Sequence, residues 1–336
     1  MTNPNDSFQH FGIAGGGAWG TALGLALRRS GLRVTLWAHD PEVVTNINTR
    51  HENPTYLPGI SLDHGLLATS DLGALTTCDA ILLATPAQRL RTVTAQLHNL
   101  PATTPLIICA KGIEQKTLAL MSEAVQATQP NQPIAILSGP TFAAEIARGL
   151  PAAVTLALHD QILGQKLAAA IGNKALRPYL SDDVIGTQIG GAIKNVLAVA
   201  CGIVEGRGIG ENARAAIITR GLSELTRLGC VLGGKMETFM GLSGIGDLVL
   251  TCTGAQSRNM SLGHALGQGR ALADIMAERK SVAEGVFTAA AAVALAAKHG
   301  VELPICAAVD HILNHNAAID TEIVGLLTRP LKQESI

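Results

Sequence analysis

Aromatic residues are scarce in this chain, at 3%, and charged residues reach only 15%, with a formal net charge of −1. The first shortage excludes a platform on which bases stack, and the second excludes a basic stripe following a phosphate backbone. No nucleic-acid partner is expected. The six cysteines, at 78, 109, 201, 230, 252 and 306, include no CxxC pair and fall mostly in apolar runs. They read as reduced core thiols, with no disulfide framework and no metal site expected. The opening MTNPNDSFQH lacks the basic-then-apolar order of a secretory signal, so a cytoplasmic location is expected. The apolar run 184–204 is long enough to suggest a membrane span, but it holds four glycines and, at its centre, Lys194. A lysine there would cost roughly 3 kcal/mol in lipid. A buried helix, without membrane insertion, is the better reading.

Hydrophobic residues, at 47% of 336, are ample for two cores. Residues 8–14 read as a strand that feeds into Gly15-Gly16-Gly17-Ala18-Trp19-Gly20, a GxGxxG turn. The run 21–29 then reads as a helix and 33–38 as a second strand. In such a βαβ unit the glycines permit a tight turn and close helix packing, and the amides at the helix start take a pyrophosphate. Where the ribose 2′ position falls, His39 and Asp40 point two ways: Asp40 suits a free hydroxyl, His39 a 2′-phosphate, and Asp40 before Pro41 equally suits a helix N-cap. NAD and NADP both remain open. The broken segment NPTYLPG (53–59) reads as a surface loop.

Apolar runs at 79–85, 105–110, 134–137 and 151–158, with a short last strand expected at 177–179, continue an alternating pattern. The expected architecture is α/β: a doubly wound Rossmann-type domain over 1–183, followed by an all-helical domain over 184–336. Helices are expected near 184–204, 211–229, 236–242, 258–267, 271–278, 284–299 and 305–314. Ligands of doubly wound sheets bind beyond the carboxyl ends of strands. Lys111 and the Ser138-Gly139-Pro140-Thr141 turn fall at such ends, although a solvated lysine and a plain turn fit as well.

Lys194 is the residue with least structural excuse. Ile189, Ile193, Val196, Leu197 and Ala200 form an apolar stripe on its helix, while Thr187, Gly190, Gly191, Ala198 and Cys201 share its own side. Small neighbours leave space for a substrate, and a desolvated lysine shifts its pKa readily, which suits proton transfer or anion binding. A lysine snorkelling to solvent is the bland alternative. GLSGIGD (241–247) reads as a glycine-rich connection ending in Asp247, a carboxylate that fits a helix cap. Thr253 to Asn259 then opens a helix with hydroxyl, guanidinium and amide donors, a phosphate-site combination centred on Arg258.

These stretches resemble bacterial NAD(P)-dependent glycerol-3-phosphate dehydrogenase over nearly the whole chain. The likeness rests on GGGAWGTAL (15–23), NPTYLPG (53–59), AKGIE (110–114), LSGPTFAAE (137–145), GGAIKNV (190–196), NARAAIITRGL (212–222), GLSGIGDLVLTCT (241–253) and QSRN (256–259). It implies reversible reduction of dihydroxyacetone phosphate to sn-glycerol 3-phosphate with NADP or NAD, the step that supplies the phospholipid backbone. It further implies a small phosphorylated substrate and a homodimer, which the alanine-rich helical half also suggests. By resemblance Lys194 is the catalytic lysine, and Lys111, Gly139, Thr141, Asp247, Ser257, Arg258 and Asn259 contact substrate. Gly15, Gly17, Ala18, Trp19, Gly20, His39, Lys111, Ala143, Arg258, Val282 and Glu284 match cofactor positions; Thr251 and Asn195 match supporting polar residues. Thr141 stands where the family often has serine, and His39 where it often has arginine. On residue chemistry Lys194 would protonate the substrate oxygen, with Lys111 lowering its pKa and Asp247 holding it in place. A Rossmann dehydrogenase of another small hydroxy acid and a non-enzymatic NAD(P)-sensing protein remain as alternatives.

Overall fold

In the computed structural model, which describes residues 8–279, 283–330 and 333, the chain divides into two compact units. The first takes the chain up to Ala110 together with Met121–Val184; the second takes Lys111–Leu120 and the chain from Ile185 onward. The division differs from the expected 1–183 and 184–336 in grouping 111–120 with the helical segments. The physical reason is two apolar residues: Ile113 and Leu120 pair through their backbones, and their side chains are buried in the core of the helical unit.

The first unit is built on β1 (His10–Ala14), β2 (Arg33–Trp37), β3 (Leu66–Thr69), β4 (Ala80–Leu83), β5 (Leu106–Ile108), β6 (Ile134–Ser138), β7 (Ala152–Ala157) and β8 (Leu176–Ser181). They form one sheet in the order β3-β2-β1-β4-β5-β6-β7-β8. Its helices are α1 (Ala18–Arg29), α2 (Pro41–Arg50), α3 (Leu90–Thr94), α4 (Met121–Gln126), α5 (Ala143–Arg148) and α6 (Gln161–Ile171). Strands covered on both faces read as unbroken apolar runs, and β4 and β5 are buried at every residue. Leu82, Ile107 and Leu137 pack with Leu23 and Leu27 of α1, whereas Leu83, Ile108 and Ile136 pack with Leu90 of α3 and Val125 of α4. Each such buried side chain contributes roughly 1.5–3 kcal/mol. The sequence pattern misses two features: the short strand β3, and the antiparallel pairing of β6 with β7 in an otherwise parallel sheet.

The second unit holds α7 (Val184–Gly206), α8 (Glu211–Val231), α9 (Met236–Phe239), α10 (Asp247–Thr253), α11 (Arg258–Gly267), α12 (Leu272–Ala277), α13 (Glu284–Lys298), α14 (Pro304–Asn314) and α15 (Ile319–Leu327). α7 is long and apolar enough to cross a membrane, but its most apolar window is 89% buried inside the protein, as a core helix should be. Its glycines bring backbones together. A Cβ on Gly202 would lie 2.1 Å from the Met260 carbonyl oxygen, and one on Gly263 2.0 Å from that of Val199, so α7 and α11 cross in backbone contact. Two helices were not anticipated. α10 starts on the last residue of the expected connection 241–247, after a single π turn at Leu242–Gly246, and α15 follows α14.

Candidate active site

The glycine turn of the first unit leaves β1 and enters α1 on the pattern expected of a dinucleotide site. Gly15 has φ +131°, and a Cβ there would lie 2.7 Å from the Ala84 carbonyl; at Gly20 a Cβ would lie 1.9 Å from the Gly15 carbonyl oxygen. At Gly17, by contrast, a Cβ would meet nothing within 4 Å. Two glycines thus serve the backbone's own packing and one faces open space. Gly17 is also the N-cap of α1, with no side chain capping the helix, so the first-turn amides keep their donors for an anion. Beside Ala18, the indole Nε1 of Trp19 is buried and has no hydrogen-bond partner among the described residues. An uncapped helix start, open space and an orphaned buried donor fit a bound dinucleotide.

Beyond β2, Asp40 is the N-cap of α2, its Oδ1 accepting from the Glu42 amide at 2.9 Å. His39 is exposed, its ring 6.3 Å from that of Trp37. Gly139 has φ +142°, Thr141 Oγ1 donates to the Gly139 carbonyl at 3.3 Å, and Ala143 is the first residue of α5. Asn53, read from sequence only as part of a surface loop, is 1% exposed and donates to the Gly16 carbonyl and to Thr21 Oγ1. Asparagine before proline signals a turn, but nothing local to 53–59 names the target of its amide.

In the second unit, Lys194, Lys111 and Asp247 come together. Asp247 is fully buried; its Oδ1 accepts from Lys194 and its Oδ2 from Lys111 at 2.6 Å. Lys194 Nζ also donates to Thr251 Oγ1 at 3.0 Å, and Thr251 in turn donates to the Asp247 carbonyl at 2.6 Å, one turn back along α10. Asp247 is the first residue of α10 and Gly246 its N-cap, so the carboxylate bridges two lysines and is not the cap. Burial pushes the Lys194 pKa far down, to about 7; the positive charge of Lys111 adds to this and Asp247 opposes it. With its side chain 7% exposed, Lys194 does not snorkel.

Two of its small neighbours pack against the protein itself. A Cβ on Gly190 would sit 2.1 Å from the Ser243 carbonyl oxygen, and Ala198 is fully buried in the helical core. Gly190 and Ala198 therefore make room for the protein itself. Gly191 is buried too, its carbonyl accepting from Asn195 Nδ2 at 3.3 Å.

Ser257 is the N-cap of α11, its Oγ accepting from the Met260 amide at 3.2 Å. Asn259 donates to Asn195 Oδ1 at 2.9 Å and accepts from the Gly285 amide at 3.0 Å, tying α11 to α7 and to the start of α13, next to Glu284. Arg258 is exposed, and its guanidinium makes no hydrogen bond among the described residues; Arg279 braces its carbonyl at 2.8 Å. Val282 lies outside the described residues.

Comparison with known proteins adds a consistent pattern. Residues 10–163 match the family described as NAD-dependent glycerol-3-phosphate dehydrogenase N-terminus, and residues 183–324 match its C-terminus counterpart. The chain is 56% identical over 332 residues to an NAD(P)+ glycerol-3-phosphate dehydrogenase of Rhodospirillum rubrum, covering 98% of this chain and 95% of that one. It is 54% identical over 330 residues to that of Caulobacter vibrioides, covering 98% and 100%. A crystal structure of the glycerol-3-phosphate dehydrogenase of Coxiella burnetii superposes with a TM-score of 0.92 at 38% identity, over 96% of this chain and 99% of that one. A D-mandelate dehydrogenase, at 17% identity and a TM-score of 0.65, shares the fold alone.

Proposed function

The chain belongs to the NAD-dependent glycerol-3-phosphate dehydrogenase family, and within the reaction of that family we propose that Lys194 moves the proton. The protein is an oxidoreductase that interconverts dihydroxyacetone phosphate and sn-glycerol 3-phosphate with NAD(P)H. The alternatives of a hydroxy-acid dehydrogenase and of a non-enzymatic sensor are set aside with it. When bound, the nicotinamide of NAD(P)H supplies a hydride to the ketone carbon, and negative charge develops on the ketone oxygen. The glycine turn 15–20 with Ala18 and Trp19 would hold the cofactor pyrophosphate, and His39, Ala143, Arg258, Val282, Glu284 and Lys111 are proposed cofactor contacts on the resemblance alone.

The observation that carries the role of Lys194 is its buried cluster. Of three N–H donors on Nζ, one goes to Asp247 and one to Thr251, which leaves one for a substrate oxygen. Asp247 sets the position of the amine, and burial with Lys111 brings its pKa near neutrality, where an amine can both give and take a proton. In reduction Lys194 protonates the ketone oxygen; in oxidation it accepts the alcohol proton. Lys111, partly exposed beside the same carboxylate, binds substrate and adds positive charge.

The phosphate is proposed to bind the Arg258 guanidinium and the first-turn amides of α11. Ser257 and Asn259 hold that turn, and each retains a donor for the same anion. Gly139 and Thr141 remain proposed substrate contacts on the resemblance. Exposed Val231, Met236, Met240 and Val249 in the helical unit support a homodimer, which light scattering checks. Buried thiols at Cys78, Cys109, Cys201, Cys252 and Cys306 support a cytoplasmic setting, where the product would feed phospholipid backbone synthesis. The test of the central role is Lys194→Ala: turnover should fall by at least about 1,000-fold with NAD(P)H affinity retained. Unchanged turnover would remove Lys194 from the mechanism.

A further inference from the structure

We infer that Asn53 is the positioning residue of the dinucleotide turn: it orients the Gly16–Gly17 peptide so that the Gly17 amide is presented to the pyrophosphate. The inference rests on the dinucleotide reading of that turn.

All the hydrogen-bonding capacity of the Asn53 side-chain nitrogen is spent in one place. Nδ2 donates to the Gly16 carbonyl at 2.9 Å and to Thr21 Oγ1 at 2.8 Å, and Oδ1 accepts from the Tyr56 amide at 3.3 Å. Asn53 is 1% exposed and Thr21 fully buried, so these bonds are shielded from water, where leaving one unmade is costly. The segment bearing Asn53 is itself anchored. The Leu57 amide donates to the Asn53 carbonyl at 2.8 Å, and Leu57 is buried in the core that packs α1 on the sheet.

The two partners of Nδ2 flank Gly17. Gly16 precedes it, and Thr21 lies in the first turn of α1, its amide donating to the Gly17 carbonyl at 3.0 Å. In a planar trans peptide the carbonyl and the following N–H point in opposite directions. With the Gly16 carbonyl held inward on Asn53, the Gly17 N–H is turned away from Asn53, at the one glycine of the turn's four where a Cβ would meet no atom within 4 Å. Glycine-rich backbone rotates freely when unrestrained. Asn53, together with the Thr21 hydroxyl that donates to the same Gly16 carbonyl at 3.5 Å, removes that freedom and so preorganises an anion-binding amide.

The test is fluorescence titration of NADH and competition by ADP, which carries a pyrophosphate without nicotinamide, on purified Asn53→Asp and Thr21→Val proteins. Asn53→Asp replaces two donors with oxygen facing the Gly16 carbonyl, and should raise Kd for NADH and for ADP about 10-fold or more. KM for dihydroxyacetone phosphate at saturating cofactor should change by less than about 2-fold. Thr21→Val removes one partner of Nδ2 and the longer hydroxyl bond to the Gly16 carbonyl while keeping the shape, so a rise of roughly 3-fold is expected in a protein whose folding is checked by circular dichroism. A merely structural Asn53 would lower Tm and leave both Kd values within about 2-fold of wild type, and that result in either variant overturns the inference. Failure of the wild-type protein to bind NADH, NADPH and ADP alike would overturn the dinucleotide reading and this inference with it.

Discussion

Lys194 and Asp247, fifty-three positions apart in the chain, form an ion pair in which the carboxylate is 0% exposed and the amine 7%. A buried carboxylate shared by two lysines is held only while all the charges are present, because each would be costly to bury alone. Asp247→Asn keeps the shape and removes the charge that Lys194 and Lys111 share. Removing one partner of such a pair costs about 3–5 kcal/mol, and kcat should fall by roughly 100-fold as the amine loses its position. Thermal melts and steady-state rates read the two effects; a variant with wild-type stability and rate would show that Asp247 is a spectator.

The pH dependence follows from the same cluster. The Lys194 pKa is drawn to about 7 chiefly by burial, so the ammonium needed for ketone reduction is lost as pH rises through that value. The free amine needed for alcohol oxidation appears over the same range. Reduction at saturating substrates should therefore decline, and oxidation rise, around pH 7. Lys111→Met removes a charge that lowers this pKa, so both midpoints should move upward; a downward or absent shift contradicts the arrangement. Stability carries the complementary sign. Between about 7 and the ordinary lysine value the unfolded chain holds a proton that the folded one does not, and the Lys194 contribution to stability rises with pH across that window.

Gly17 and Gly20 should separate binding from folding. Gly20→Ala drives a methyl into the Gly15 carbonyl, 1.9 Å away, and should destabilise the first unit by about 2–3 kcal/mol. Gly17→Ala meets no protein atom, so Tm should stay within about 2 °C of wild type while Kd for NAD(P)H rises about 10-fold or more. Equal loss of stability in the two variants would contradict the open space at Gly17.

Arg258→Ala should act on the phosphate and not on the chemistry. KM for dihydroxyacetone phosphate is expected to rise about 10- to 100-fold, with little change for unphosphorylated dihydroxyacetone. Parallel rises for the two ketones would move the phosphate site away from α11.

Local pattern by itself determined the parts of this protein that depend on neighbours in the chain. The glycine turn between β1 and α1, the apolar parallel strands, the helical second half and the oddity of Lys194 within an apolar run are all properties of spacing and residue type over a few turns. The tertiary structure alone decided what those groups meet. Asp247 looked like a helix cap from its glycine-rich approach, and became a bridge because folding brings Lys194 and Lys111, 53 and 136 positions away, to its two oxygens. Lys111 belongs to the helical unit because Ile113 and Leu120, just after it, bury themselves there. Gly190 and Ala198 looked like space for a ligand and are space for protein, since the Ser243 carbonyl and the helical core fill it. Asn53 reaches Gly16 across 37 positions. Hydrogen bonds and close packing between distant segments leave no periodicity in the chain, so only the folded geometry reveals them.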